Sequence, residues 1–286
     1  MEPAKVIQLW PDGPPTVIEG VPDEIEYRVK TGVAKGTKFL RNISDPTLSI
    51  FTPAPEQANG HGVIVVPGGG WTINASSHEG HMVVDWLVAE GYTAFLLKYR
   101  VQATTPDQDA YEKNAAAAEA AGNALLAARQ FPRAISDLIS TPSYLAARAA
   151  AADDGRRAIE LAREQAAAYG VNPDTLGMLG FSAGAFMAVD TAMDPRAEQL
   201  AWLAPIYGGE TNGVPVPEDA PPIFSAVAQD DILWQICEGL HRDWSAAGRP
   251  SEHHVFARGA HGFGMVKQGL PSDQWTQLFL AWLRSL

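Results

Sequence analysis

Cysteine, clustered basic residues and long apolar runs are all scarce in this chain of 286 residues. The single cysteine, Cys237, excludes an internal disulfide and a zinc site built from cysteines, and we expect it to be a small, half-buried apolar side chain. No apolar run approaches the roughly 18 residues that a membrane span needs. The net charge is -12 and the lysines and arginines are dispersed, which argues against a nucleic-acid partner.

Targeting and ligand-binding signals are also missing. Residues 1–7 lack the basic region and long apolar core of a secretory signal, so we expect a cytoplasmic protein without membrane association. His78 and His81 are spaced like a metal pair, but no third ligand has a suggestive spacing, and we expect neither a metal nor a cofactor. With 46% hydrophobic and 19% charged residues, the chain suits one large domain over 1–286.

The segment GFSAG at residues 180–184 has the form of a nucleophile elbow, a sharp turn that presents a serine between a strand and a helix. An apolar strand pattern precedes it at 176–180 and a helical pattern follows at 185–189. Glycines at both flanks leave room for Ser182, whose backbone must be strained there. The helix that begins after the turn directs unpaired N–H groups, Ala183 first, at the place where an oxyanion would form.

Strand and helix patterns alternate along the chain and predict an α/β fold with a mostly parallel, doubly wound central sheet and helices on both faces. Residues 1–24 hold five prolines and read as an extended arm. Two antiparallel edge strands are predicted at 25–29 and 47–51, and the buried strands are predicted at 63–66, 93–99, 176–180, 200–206, 222–228 and 253–256.

Helix signals separate these strands. Ser76 and Glu79 fit a capping box for a helix that runs to Glu90, and Asp154 fits the cap of a helix over 155–169. Two further helices are predicted, over 232–247 and on the amphipathic pattern of 275–283. Residues 103–152 are alanine-rich, are interrupted by prolines and predict a helical insertion within the domain, which is either a lid over the active site or a peripheral decoration.

Chemistry-bearing residues follow several strands of the predicted sheet. The buried strand at 63–66 ends in PGGGW, where the backbone N–H groups of Gly69 or Gly70 would supply a second oxyanion donor. Asp230 and Asp231 follow one strand, and His261 follows the next. The carboxyl ends of parallel strands meet at one edge, so these residues should lie near Ser182. A serine hydroxyl needs a base within hydrogen-bond reach and a third group that orients the base. His261 and one of the two aspartates would fill these roles, and the chain order serine, acid, histidine is the one expected of α/β-hydrolases.

Together these motifs resemble α/β-hydrolase esterases of the acetyl-xylan-esterase-like and hormone-sensitive-lipase-like groups over about residues 40–286, apart from the insertion. The motifs concerned are PGGGW at 67–71, KYR at 98–100, GFSAG at 180–184, AQDD at 228–231 and GAHGFG at 259–264. The resemblance places the acid three residues after Ala228, at Asp231, with Asp230 as second choice. The sequence differs from the family pattern at two positions. Pro67 stands where many lipase-like members have histidine, and Ala185 stands where a further glycine is frequent.

The resemblance implies a serine-dependent ester hydrolase with Ser182, His261 and Asp231 as its triad, acting through an acyl-enzyme on short-chain or acetyl esters, sugar acetates included. Trp71 and Phe263 flank these loops and are candidate walls of the substrate pocket. A serine peptidase of the prolyl-oligopeptidase kind would use the same triad. A relative of the fold that binds a ligand without turnover is the remaining alternative.

Overall fold

The computed structural model describes residues 1–139 and 141–286. Within them the strands form one sheet of eight and one of three. In chain order the strands are β1 (Lys5–Gln8), β2 (Ile25–Arg28), β3 (Lys38–Arg41), β4 (Thr47–Phe51), β5 (Gly62–Val66), β6 (Ile73–Asn74), β7 (Thr93–Lys98), β8 (Gly177–Phe181), β9 (Leu203–Ile206), β10 (Ile223–Ala228) and β11 (Ser251–Phe256). The α-helices are α1 (Met82–Ala89), α2 (Gln108–Ala127), α3 (Pro142–Ala166), α4 (Ala183–Ala192), α5 (Trp234–Ala246) and α6 (Trp275–Leu283).

The large sheet has the order β1-β4-β7-β5-β8-β9-β10-β11, and its strands are parallel from β7 to β11. The mostly parallel sheet predicted from the sequence is therefore confirmed. The prediction that 47–51 is an edge strand is wrong, because β1 from the N-terminal arm pairs with the outer side of β4. The other predicted edge strand, β2, belongs to the small sheet with β3 and β6.

Alternate side chains of the central strands supply two separate cores. In β5, Ile64 and Val66 enter the core that α3, α4 and α5 cover, whereas Val63 and Val65 enter the core that α1 and α6 cover. This is the period of two that a strand buried on both faces requires. Helices thus cover both faces of the sheet, and the loops of the site follow the carboxyl ends of its strands.

Two predicted helix caps are wrong. Ser76 makes no side-chain capping bond, and the chain forms a π-helical turn over Ser77–His81 before α1 begins. Asp154 does not cap a helix either, since it lies inside α3 and binds the buried Arg100. A capping pattern depends only on neighbouring residues. The carboxylates of Glu79, from the predicted capping box, and of Asp154 instead bind groups outside their own helices.

The alanine-rich part of the chain divides into an exposed and a packed portion. Helix α2 has no buried residue, while α3 packs against α4 so closely that a Cβ on Gly155 would lie 2.6 Å from the Thr191 hydroxyl oxygen. The predicted end of the insertion at residue 152 falls inside α3. In the described residues, none of the helices is both long enough and apolar enough to span a bilayer.

Candidate active site

Ser182 lies in the sharp turn between β8 and α4, with φ 49° and ψ -120°. An added Cβ on Gly180 would overlap the Gly184 carbonyl oxygen, and one on Gly184 would overlap that of Val66. Glycine is therefore required at both flanks, because a side chain at Gly180 would push β8 away from α4 and one at Gly184 would push the elbow away from β5. The turn leaves Ser182 about 9% exposed.

The structure brings Ser182, His261 and Asp231 into one hydrogen-bonded chain. Ser182 Oγ lies 2.8 Å from His261 Nε2, and His261 Nδ1 lies 2.8 Å from Asp231 Oδ2. A carboxylate can only accept, so Nδ1 carries the proton and Nε2 of the neutral ring accepts from the serine hydroxyl. The Asp231 side chain is fully buried, whereas that of His261 is 38% exposed, which leaves the imidazole open to an incoming substrate.

Asp230, the second choice for the acid, faces the backbone instead. Its Oδ1 accepts from the N–H groups of Gly259 and Ala260, at 2.9 and 2.8 Å. Both bonds hold the loop that carries His261. Asp231 is thus the residue of the two that reaches the imidazole.

The glycine loop after β5 passes directly over the elbow. A Cβ on Gly68 would lie 2.8 Å from the Cβ of Ser182. Gly69 and Gly70 follow with φ of 133° and 58°, and in the described residues their N–H groups have no backbone or side-chain acceptor. Ala183 begins α4, where N–H groups lack partners within the helix. Within the described residues, the three N–H groups that the sequence predicts as oxyanion donors therefore have no acceptor in the protein.

Trp71 and Phe263, the candidate pocket walls, are both only 1% exposed. Trp71 packs against Phe186 at 5.8 Å between ring centroids, and the Arg148 guanidinium lies 5.6 Å from its ring. Phe263 packs edge-on against Tyr207 at 4.6 Å. In this structure both aromatic side chains are therefore buried against other aromatic rings.

Glu79 and Tyr207 also bind loops of the site, although no sequence motif assigned them to it. Glu79 Oε2 accepts from Gly68 N–H at 2.8 Å, and its Oε1 accepts from the Tyr207 hydroxyl at 2.6 Å. The Tyr207 oxygen in turn accepts from Gly264 N–H at 3.1 Å. The available signal was the position of Glu79, 11 residues after Gly68, but its spacing from Ser76 suggested a capping box instead.

The charges around His261 favour its protonated form. Partial burial of the ring lowers the pKa of the imidazole, but the charge and hydrogen bond of Asp231, with a smaller contribution from the charge of Glu79, raise it above its ordinary value. The ring is therefore a stronger base than an isolated histidine. A base of this kind can take a serine proton near neutral pH.

The sheet order, the strained serine turn and the chain order Ser182, Asp231, His261 are those of the α/β-hydrolase fold, as the sequence motifs implied. A model of the family described as dienelactone hydrolase matches residues 49–284. The match covers most of the chain. This chain belongs to the dienelactone hydrolase family.

Known proteins with related chains or folds include several hydrolases. An acetyl ester-xyloside bifunctional hydrolase from Caldicellulosiruptor lactoaceticus is 21% identical with a TM-score of 0.65, over 100% of this chain and 97% of that one. A carboxylesterase from Lactobacillus plantarum is 16% identical with a TM-score of 0.59, over 92% and 98%. An acetylxylan esterase from Xylanibacter ruminicola is 23% identical over 285 residues, 87% of this chain but only 51% of that protein. The chain thus spans about half the length of this relative.

Proposed function

We propose that the chain is a serine-dependent carboxylic ester hydrolase that acts through an acyl-enzyme. The observation that carries the proposal is the continuous hydrogen-bonded chain from Ser182 through His261 to Asp231, with 2.8 Å at each step. A serine hydroxyl is a weak nucleophile unless a base removes its proton as it attacks, and this geometry places the base in reach.

In the first half-reaction, Ser182 Oγ bonds to the ester carbonyl carbon while its proton passes to His261 Nε2. Asp231 stabilises the imidazolium, and the N–H groups of Ala183 and of Gly69 or Gly70 bind the oxyanion, each contributing about 3 kcal/mol in the transition state. When the tetrahedral intermediate collapses, the ester C–O bond breaks and the alcohol leaves with the proton from Nε2.

In the second half-reaction, water attacks the acyl carbon and gives its proton to His261. The bond from the acyl carbon to Ser182 Oγ then breaks, the serine regains the proton, and the carboxylic acid is released. No cofactor enters either step. The proposed substrates are short-chain or acetyl esters, including sugar acetates, in keeping with two relatives of low identity, the acetylxylan esterase and the acetyl ester-xyloside hydrolase. The acidic net charge of -12 disfavours acidic substrates.

The insertion is proposed to cover the approach to Ser182. At the start of α2, the Tyr111 hydroxyl lies 3.0 Å from that of Tyr27 on β2. Near its end, a Cβ on Gly122 would lie 4.0 Å from Ile232, the residue after the triad acid. Helix α2 thus contacts both the small sheet and the acid loop, which is the segment 229–233 between β10 and α5. A cleft of about 610 Å³ lies between the end of α2 and this loop, lined by Leu126, Ala127, Arg129, Phe131, Gln229, Asp230 and Trp234.

The function is tested by the hydrolysis of p-nitrophenyl acetate, butyrate and octanoate. Ser182→Ala is expected to lose about 10⁴-fold or more in kcat. Ser225→Ala is the matched control, because Ser225 also lies 2.7 Å from a histidine nitrogen, that of His253, yet sits outside the site; it should keep its activity. Full activity in Ser182→Ala would overturn the proposal. Cleavage of acyl-proline p-nitroanilides without ester turnover would instead favour a peptidase.

A further inference from the structure

Glu79 is a buried carboxylate to which the triad mechanism gives no role. Its residue is 3% exposed, and in the described part of the chain no lysine or arginine forms an ion pair with it. The nearest group that can carry positive charge is His78, whose Nε2 lies 3.6 Å from Glu79 Oε1. Burying a carboxylate is costly unless hydrogen bonds compensate, so its partners are informative.

Those partners belong to two different loops of the site. Oε2 accepts from the N–H of Gly68 in the glycine loop after β5, residues 67–71, which we call the oxyanion loop. Oε1 accepts from the hydroxyl of Tyr207, whose oxygen also accepts from the N–H of Gly264 in the loop that carries His261. One carboxylate therefore connects the oxyanion loop to the histidine loop through a single tyrosine.

Close packing reinforces this connection. A Cβ on Gly264 would lie 3.1 Å from Glu79 Cγ, so the histidine loop rests directly on the glutamate side chain. The Tyr207 ring lies edge-on to the His261 ring with centroids 5.2 Å apart. The Glu79 carboxylate and the His261 ring thus both contact Tyr207, and the charge of Glu79 contributes to raising the pKa of the imidazole.

We propose that Glu79 is a positioning residue that fixes the oxyanion loop and the histidine loop relative to each other and stabilises the His261 imidazolium by its charge. Its bond to Gly68 N–H anchors the loop just before the N–H groups of Gly69 and Gly70. A donor that is already in place needs no reorganisation when negative charge develops. The inference rests on the proposed ester hydrolysis and adds a residue to it.

Other titratable groups face the same region. Asp231 and Tyr207 face His261, and Asp230 binds the backbone of its loop. Burial raises the pKa of Tyr207 well above its ordinary value, so this tyrosine stays neutral in an assay between pH 5 and 9. His78 faces Glu79 from its own turn. Because several ionisable groups lie close together, the pKa of His261 must be measured from the NMR signal of the His261 ring. That signal is assigned as the one that disappears in His261→Gln.

Tyr99 also lies near Glu79, and burial raises its pKa as well. Its hydroxyl donates to the Pro67 carbonyl oxygen at 2.9 Å, but it bonds neither Glu79 nor the histidine loop. Tyr99→Phe is therefore a matched control. It removes a buried tyrosine hydroxyl beside the same glycine loop and leaves the carboxylate in place.

The experiment uses the full chain and the variants Glu79→Gln, Tyr207→Phe and Tyr99→Phe. NMR titration of the His261 ring measures its pKa without substrate, and p-nitrophenyl acetate gives kcat and KM. For Glu79→Gln we expect the His261 pKa to fall by about half a unit or more, because the charge is lost and the shape kept. We expect kcat to fall about tenfold or more in Glu79→Gln and Tyr207→Phe, with KM changed less than about threefold.

The control separates positioning from stability. Tyr99→Phe should lower the melting temperature, as loss of a buried hydrogen bond does, without shifting the His261 pKa. A folded Glu79→Gln with unchanged His261 pKa and unchanged kcat would overturn the inference. If Glu79→Gln fails to fold, Tyr207→Phe decides, since unchanged kcat there contradicts the connection between the loops. Absence of esterase turnover in the unmodified protein would refute the proposed function, whereas the NMR titration still reports on Glu79.

Discussion

Asp230 and Asp231 are adjacent in the chain, yet their carboxylates bind different parts of the same loop. Asp231 Oδ2 lies 2.8 Å from the imidazole of His261, while Asp230 Oδ1 accepts from two backbone N–H groups that precede it. Asp231 Oδ1 also accepts from Leu233 N–H at 2.8 Å, which fixes the acid within its own turn. Asp231 thus orients the imidazole of His261 directly, and Asp230 orients the backbone just before it.

This division predicts different losses in two matched variants. Asp231→Asn should lower kcat by about 10³- to 10⁴-fold, because an amide cannot hold the imidazole in the productive tautomer or stabilise its charge. Asp230→Asn keeps an acceptor oxygen, so it should cost about 1 kcal/mol of stability and keep most of kcat. Steady-state kinetics and urea unfolding of both variants check this. Equal losses of kcat would contradict the assignment of the acid.

Glycine at the elbow predicts a steric effect on folding. In Gly184→Ala the new methyl would overlap the Val66 carbonyl oxygen, so we expect a loss of about 3 kcal/mol or more, or no soluble protein. Gly170→Ala is the control, because Gly170 has φ 65° but nothing within 4 Å of an added Cβ, and it should cost only about 1 kcal/mol. Urea unfolding of the two variants compares them. A stable Gly184→Ala would show that β5 and the elbow are further apart than described.

The buried ion pair of Arg100 and Asp154 predicts a large effect on stability. The two side chains are 2% and 0% exposed, and Trp10 Nε1 also donates to the aspartate at 2.7 Å. Asp154→Ala should therefore lose about 3–5 kcal/mol, because it leaves a buried guanidinium without its partner. Glu160→Ala is the control, since the Arg157–Glu160 pair is partly exposed and should contribute about 0.5 kcal/mol or less. Urea unfolding with similar losses for both variants would contradict this account.

His253 predicts a dependence of stability on pH. Burial, with the charges of His241 and His254 as smaller causes, lowers the pKa of His253 to about 4. The folded state then binds fewer protons than the unfolded state, in which the pKa is about 6.5. The free energy of unfolding should therefore fall as the pH falls from about 6.5 towards 4. Urea unfolding at several pH values measures this dependence, and His253→Gln should make the free energy of unfolding less dependent on pH. An unchanged dependence in the variant would show that other groups cause it.

Much of the fold was predictable because its signals are local. The apolar run before Pro67 predicted β5, and the GFSAG segment predicted the strand, turn and helix around Ser182, all of which the structure contains. These patterns depend on residues within one element and on steric limits at one turn. The order of the motifs was enough to place the acid and the base at one edge of the sheet.

The remaining features depend on distant partners. Glu79 matched a capping box with Ser76, but its carboxylate binds Gly68 and Tyr207. Asp154 likewise matched a helix cap, but its partner is Arg100, 54 residues away. A local pattern carries no information about such pairings, because they form only when the sheet brings separate loops together.

The central claim is that Ser182 is an activated nucleophile, and the most direct test is its covalent capture by diethyl p-nitrophenyl phosphate. We predict that the full chain takes up one diethylphosphoryl group, that peptide mapping places it on Ser182, and that His261→Gln reacts far more slowly. Modification of another residue, or an unmodified Ser182 in a preparation that hydrolyses esters, would contradict the account.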